Sequence, residues 1–166
     1  MTSVPDRRII MRGEQSGTVV LDWCAPLLLI EWHGLVADMP TLTEYFDALE
    51  DTFDALDAAG ERCLVLTYSD GEGRPPAHVR RYISERMKAS YAQVERIRIA
   101  QAMVVLKPGV RTFMKVLGFV DARMRQPMLA TMEEGRQWVR ETLTAEGLPI
   151  PSSLDRPYEP PGAVGT

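Results

Sequence analysis

Two cysteines and two histidines are all that the 166 residues hold of the side chains that most often bind transition metals or carry nucleophilic catalysis. Cys24 and Cys63 are too few for a disulfide scaffold and fit a reducing cytoplasm. Eight residues separate Cys24 from His33 and fourteen separate Cys63 from His78, so the close ligand pairs that fold around zinc are absent. No apolar run approaches the roughly eighteen residues of a membrane span. The opening Met1-Thr2-Ser3-Val4-Pro5-Asp6-Arg7-Arg8 has no apolar stretch, and no signal peptide is expected. Neither G-x-x-x-x-G-K-[ST] nor G-x-G-x-x-G occurs, which removes the nucleotide-binding fingerprints. Basic residues are not in excess: 19 Lys and Arg face 23 Asp and Glu, and a net charge of −4 argues against nucleic-acid binding. What is present, 45% hydrophobic and 25% charged residues, is the composition of a folded domain large enough for its own core.

The chain divides into three parts. Residues 1–17 read as a loosely held segment, with Gly13 and Gly17 bracketing polar residues. Residues 18–146 read as one domain. Residues 147–166 read as a proline-rich tail, disordered or laid across the surface in extended form, because five prolines in the last nineteen residues remove backbone donors. Within the domain, Thr18–Trp23 and Leu27–Leu35 are spaced as a hairpin. A helix follows, with Thr41 and Glu44 as a capping box, Leu42, Tyr45, Phe46, Leu49, Phe53 and Leu56 on one face, and Gly60 as its stop. The run from Arg62 to Tyr68 is a buried strand, Pro75-Pro76 opens a long helix, and Ala100–Leu106 is another buried strand. A short apolar helix over 110–120, a strand over 127–132 and a helix from Glu133 to Ala145 complete the order. Such alternation predicts an α/β fold: a mostly parallel or mixed sheet of about five strands, with an N-terminal hairpin and helices packed on the sheet.

Three stretches resemble the STAS domain family, the anti-sigma-factor-antagonist-like proteins and their diverged members. They are the hairpin Val19-Val20-Leu21-Asp22 through Leu28-Leu29-Ile30-Glu31-Trp32-His33-Gly34, the junction Leu64-Val65-Leu66-Thr67-Tyr68-Ser69-Asp70, and the ending Leu129-Ala130-Thr131-Met132-Glu133-Glu134-Gly135-Arg136-Gln137-Trp138. The resemblance implies a STAS-like fold over about 18–146 and a non-enzymatic module that binds proteins or senses ligands. In some members a serine after a central strand is phosphorylated; Ser69 stands in the corresponding place. The family's Asp-Ser-Ser-Gly order is replaced here by Ser69-Asp70-Gly71-Glu72-Gly73. A related lipid-carrying fold shares some of the topology, which adds a small apolar ligand to the expectations.

Ligands of parallel-rich sheets bind beyond the carboxyl ends of strands. Ser69 and Asp70 at one junction, Arg74 in the adjoining loop, and Lys107 and Arg111 around Pro108-Gly109 are therefore the candidate ligand-binding residues, suited to a small anion. No catalytic residue, metal ligand or cofactor is expected. The rival expectation is a hydrolase using Cys24 with His33 in a cleft; a pairing of Cys63 with His78 is the weaker variant. Charge is segregated: seven acids and no base lie from Asp38 to Asp57, and twelve Lys and Arg against three acids from Arg74 to Arg125. A dipolar surface of this kind steers a protein partner. The helix over 110–120 is apolar on more than one side and suggests a homodimer, whereas Arg111, Lys115, Arg123 and Arg125 beside it suggest weak peripheral membrane contact.

Overall fold

The computed structural model describes residues 3–15, 17–70, 73–120 and 125–161, with the side chains at 113, 114 and 117–120 outside that description. Six strands form one mixed sheet: β1 (Arg7–Arg12), β2 (Thr18–Cys24), β3 (Leu27–His33), β4 (Cys63–Ser69), β5 (Arg98–Val105) and β6 (Met128–Leu129). Four helices accompany them: α1 (Met39–Ala59), α2 (Ala77–Ile97), α3 (Pro108–Val120) and α4 (Met132–Ala145). The strands stand side by side in chain order. β1, β2 and β3 are antiparallel neighbours, and β3 through β6 are parallel. The α/β class and the N-terminal hairpin are as expected, and the arrangement is compatible with a STAS-like fold.

Local chemistry fixes the boundaries. α1 begins two residues before the expected Thr41 cap, because the Asp38 carboxylate accepts the Thr41 N–H at 3.0 Å and Pro40 fits the first turn. Burial pushes the Asp38 carboxyl up, but its hydrogen bonds from Thr41 outweigh that and hold it below the usual range. Gly60 ends the helix at φ 68°, a left-handed conformation that glycine adopts without strain. α2 runs without a loop into β5, so that strand starts at Arg98 rather than Ala100. α4 starts at Met132 because the Thr131 hydroxyl accepts the Glu134 N–H.

Right-handed crossovers that always step in one direction leave their helices on one face. α1 and α2 lie together there, over Val19, Leu21, Trp23, Leu28, Ile30, Cys63 and Val65. α4 follows the last strand and folds back over the opposite face, onto Leu64, Leu66, Tyr68, Ala102 and Val104. Its Gly135 makes the approach possible: a Cβ there would stand 2.6 Å from Val104 Cγ2.

Two expectations are corrected. Residues 1–17 were expected to be loosely held, yet Arg7–Arg12 is an edge strand in full register with β2, which buries Met11. This raises the strand count from about five to six. The described part of the tail, 147–161, is laid across the surface as one expectation had it, and it carries a turn of 3₁₀ helix at Ser152–Asp155 with Leu154 buried beside α4. Prolines remove backbone donors, but they do not prevent side chains from packing.

Candidate functional site

The expected ligand residues lie around the carboxyl ends of β3, β4 and β5, and three of them take part in backbone contacts there. Ser69 pairs with Trp32 and Val105, and its carbonyl accepts the Leu106 N–H at 3.2 Å. Asp70 Oδ2 accepts the Gly34 N–H at 2.6 Å, so the carboxylate fixes the end of β3. Arg111 donates from Nη1 to the carbonyls of Val105 and Leu106, at 2.6 and 2.8 Å, and so caps the end of β5. Lys107 and Arg74 are exposed on separate loops. The neighbouring Gly71-Glu72 lies outside the described residues. Strand order runs from β1 to β6 without reversing, so the edge has no topological switch point at which flanking helices part to open a crevice.

Neither cysteine–histidine pair is assembled. Cys24 ends β2 and opposes Leu27, whereas His33 ends β3 and opposes Thr18. The length of the hairpin, about 20 Å, lies between them. Cys63 begins β4 while His78 opens α2 beyond the other end of that strand. Burial pushes the Cys63 thiol up to about 12. Burial also raises Cys24, with the nearby Asp6 adding to it and hydrogen bonding to Ser153 opposing it. Both thiols are therefore poor nucleophiles at neutral pH.

Part of the segregated charge is paired inside the chain. α1 and α2 lie side by side, and Arg86 joins Asp47 at 2.7 Å and Glu50 at 2.9 Å. Arg96 joins Asp57 at 2.6 Å, and Gln93 donates to Asp54 at 2.7 Å. Four of the seven acids of the expected acidic face thus meet the basic helix beside it. The apolar side chains of α3 that suggested a homodimer lie mostly outside the described residues, as does Arg123 of the expected membrane-facing set. Val110 and Val116, which are described, are exposed.

A different site forms on the face that carries α4. Period-two alternation places Asp22 and Cys24 of β2, Leu27, Leu29, Glu31 and His33 of β3, and Leu66 and Tyr68 of β4 on that face. Glu31 is only 1% exposed, and the Tyr158 hydroxyl from the tail donates to its Oε1. His33 Nε2 lies 3.3 Å from the same oxygen, and the His33 ring stacks on Tyr68 at 4.9 Å. Burial, then the hydrogen bond to Glu31, pushes the Tyr158 phenol well up, so it remains a neutral donor. Burial and the charges of Asp70 and Glu31 likewise raise Tyr68.

Beside this cluster the tail roofs a cleft of about 360 Å³. Leu27, Leu29, Leu66 and Met132 supply an apolar floor, and Cys24, Asp22, Glu31, Arg8, Arg136 and Arg156 supply polar walls. Arg8 and Asp22 approach to 3.7 Å. Arg136 is 6% exposed; its Nη2 donates to the carbonyls of Leu154 and Arg156, which pins the tail, and its Nε–H has no hydrogen-bond partner among the described residues. Arg140 adds a second donor to the Leu154 carbonyl. Sequence reasoning missed this cleft, although one signal was present: Arg136 interrupts the helical stripe of Met132, Gly135, Val139 and Leu143. A cation in the middle of an apolar stripe is either a buried charge or a break in the pattern. Among the described residues no cluster of three or more His, Cys, Asp or Glu is arranged to hold a metal ion. No described helix is long and apolar enough to cross a membrane. Comparison with protein-family models, with curated proteins and with solved structures finds no match for this chain.

Proposed function

We propose that the chain is a non-enzymatic binding module of STAS-like type that recognises a small ligand in the cleft beneath its C-terminal tail. The observation that carries this reading is the cleft itself: an apolar floor with convergent polar groups, closed by a segment held mainly by side-chain contacts. Binding without turnover accords with two thiols that are held protonated and lie far from either histidine. The two unpaired cysteines suit a reducing cytoplasm. Native mass spectra of the protein purified gently from cells test the reading. We expect a reproducible small-molecule adduct, lost when Leu29→Trp fills the cleft. An adduct-free spectrum, or an adduct that survives the substitution, would remove it.

A second reading, a protein-interaction module, has its own support. Leu106, Val110 and Val116 are exposed along the β5–α3 edge beside Lys107 and Arg111, an apolar strip flanked by cations. Ser69 and Asp70 adjoin it at the carboxyl end of β4. If this strip joins two copies of the chain, Val116→Asp converts dimer to monomer in light scattering, and a monomer before substitution excludes that pairing.

A further inference from the structure

We propose that the ligand of the cleft is a small amphipathic carboxylate, with its single negative charge on Arg136 and a short apolar body on Leu27, Leu29, Leu66 and Met132. The inference rests on the binding role given above to the same cleft and names the class of ligand. A guanidinium stays charged at any physiological pH. Arg136 is nevertheless nine-tenths buried, and it takes part in none of the ion pairs among the described residues. Among the described residues its partners are two backbone carbonyls, both reached from Nη2, while its Nε–H, itself buried, has none, in a residue that lines the cleft. A buried cation satisfied only by neutral acceptors is strongly destabilising unless an anion approaches it. The free donor therefore selects for negative charge.

The other walls limit how much. Glu31, Asp22 and Glu159 also line the cleft, and they oppose Arg8, Arg136 and Arg156 in equal number. A dianion such as a phosphate monoester would meet these carboxylates, and a cation would meet the fixed guanidinium. The lining is neutral as a whole, so the guanidinium of Arg136, which is in none of the ion pairs among the described residues, calls for one negative charge and no more. The four apolar floor residues exclude a ligand that is polar throughout, because a polar body would leave its own groups unpaired against them. At about 360 Å³ the cleft admits a body of only modest length.

Octanoate, octanamide and octylamine share an alkyl body and differ in head charge, so calorimetric titration of the full chain with each tests the class. Cys24 lines the cleft, and its reaction with a thiol reagent under mildly alkaline conditions, where its raised thiol begins to ionise, reports occupancy independently. We expect octanoate to bind at least tenfold more tightly than octanamide, octylamine to bind most weakly, and octanoate to slow Cys24 labelling. Equal binding of octanoate and octanamide, with Cys24 protected by both, overturns the carboxylate head and leaves the cleft as a binding site. If none of the three gives heat or protection, the binding role of the cleft fails, and this inference fails with it. Arg136→Gln should abolish the preference for octanoate. Arg140→Gln removes the other arginine on the Leu154 carbonyl, one that does not line the cleft, and should keep the preference. Should Arg136→Gln fail to fold by circular dichroism, the octanoate-to-octanamide ratio of the unaltered protein decides alone.

Discussion

Glu31 and Asp22 show how one face of a strand pair can hold charge that its sequence neighbours do not announce. Glu31 sits between Ile30 and Trp32, and its hydroxyl donor, Tyr158, comes from the far end of the chain, so no local spacing signals the contact. Asp22 is less protected. Burial raises its carboxyl above the ordinary value of 3.8, Arg8 opposes this, and the charges of Glu31 and Asp6 add to it. A native carboxyl that holds its proton more tightly than the unfolded one contributes stability below 3.8 and loses it as pH rises through the raised native value. Asp22→Asn abolishes that loss. Denaturant midpoints taken across a pH series should therefore show the variant gaining on the parent from pH 3.8 upward, and the gap levelling once the native carboxyl is ionised. A gap that does not move with pH, or that moves the other way, would remove burial as the cause.

The α1–α2 pair explains why the charge runs looked like an interface. Thr43–Tyr82, Asp47–Arg86, Asp54–Gln93 and Asp57–Arg96 are each separated by 39 residues, the register of two parallel helices in successive β-α units. The two runs were legible in the sequence, but their fixed offset shows only when they are laid against each other. Within this seam Arg86 differs from Arg96. It reaches Asp47, Glu50 and the Tyr82 hydroxyl together, and its guanidinium lies 5.3 Å from the Phe46 ring centre. Arg96 has one exposed carboxylate, Asp57, besides the Ala92 carbonyl of its own helix, and such pairs contribute little. Arg86→Ala should lower unfolding stability by about 1–2 kcal/mol, most of it retained in high salt because the packing on Phe46 is not screened. Arg96→Ala should leave the urea midpoint where it was. Equal effects from both would mean that net charge, rather than this network, joins the helices.

Periodicity recovered the helices and central strands because those segments each bury one face against a partner next to them in the chain. It missed the N-terminal end, where the partner is remote, and left the C-terminal end open between disorder and an extended surface course. β1 reads Arg-Arg-Ile-Ile-Met-Arg, with adjacent isoleucines and flanking arginines that erase any alternation, and only pairing with β2 makes it a strand. The prolines of the tail leave its packing unannounced, yet its described residues complete the second face of the sheet. Removing the tail should therefore unsettle the face of the sheet that carries α4. A chain ending at Gly147 loses the buried Leu154, worth about 2 kcal/mol by area, and leaves Glu31 without the Tyr158 donor. It also leaves the Arg136 guanidinium without the carbonyls of Leu154 and Arg156, so a second buried charge loses its partners. Together these losses predict a fall of about 3–5 kcal/mol in unfolding free energy. Hydrogen exchange should localise the added opening to β3, β4 and α4 while the α1–α2 seam stays protected. An unchanged midpoint would make the tail an appendage and the cleft an open groove on a sheet that folds without it. The expected loss would make the tail part of the core and set an upper bound on the cost of lifting it to admit a ligand.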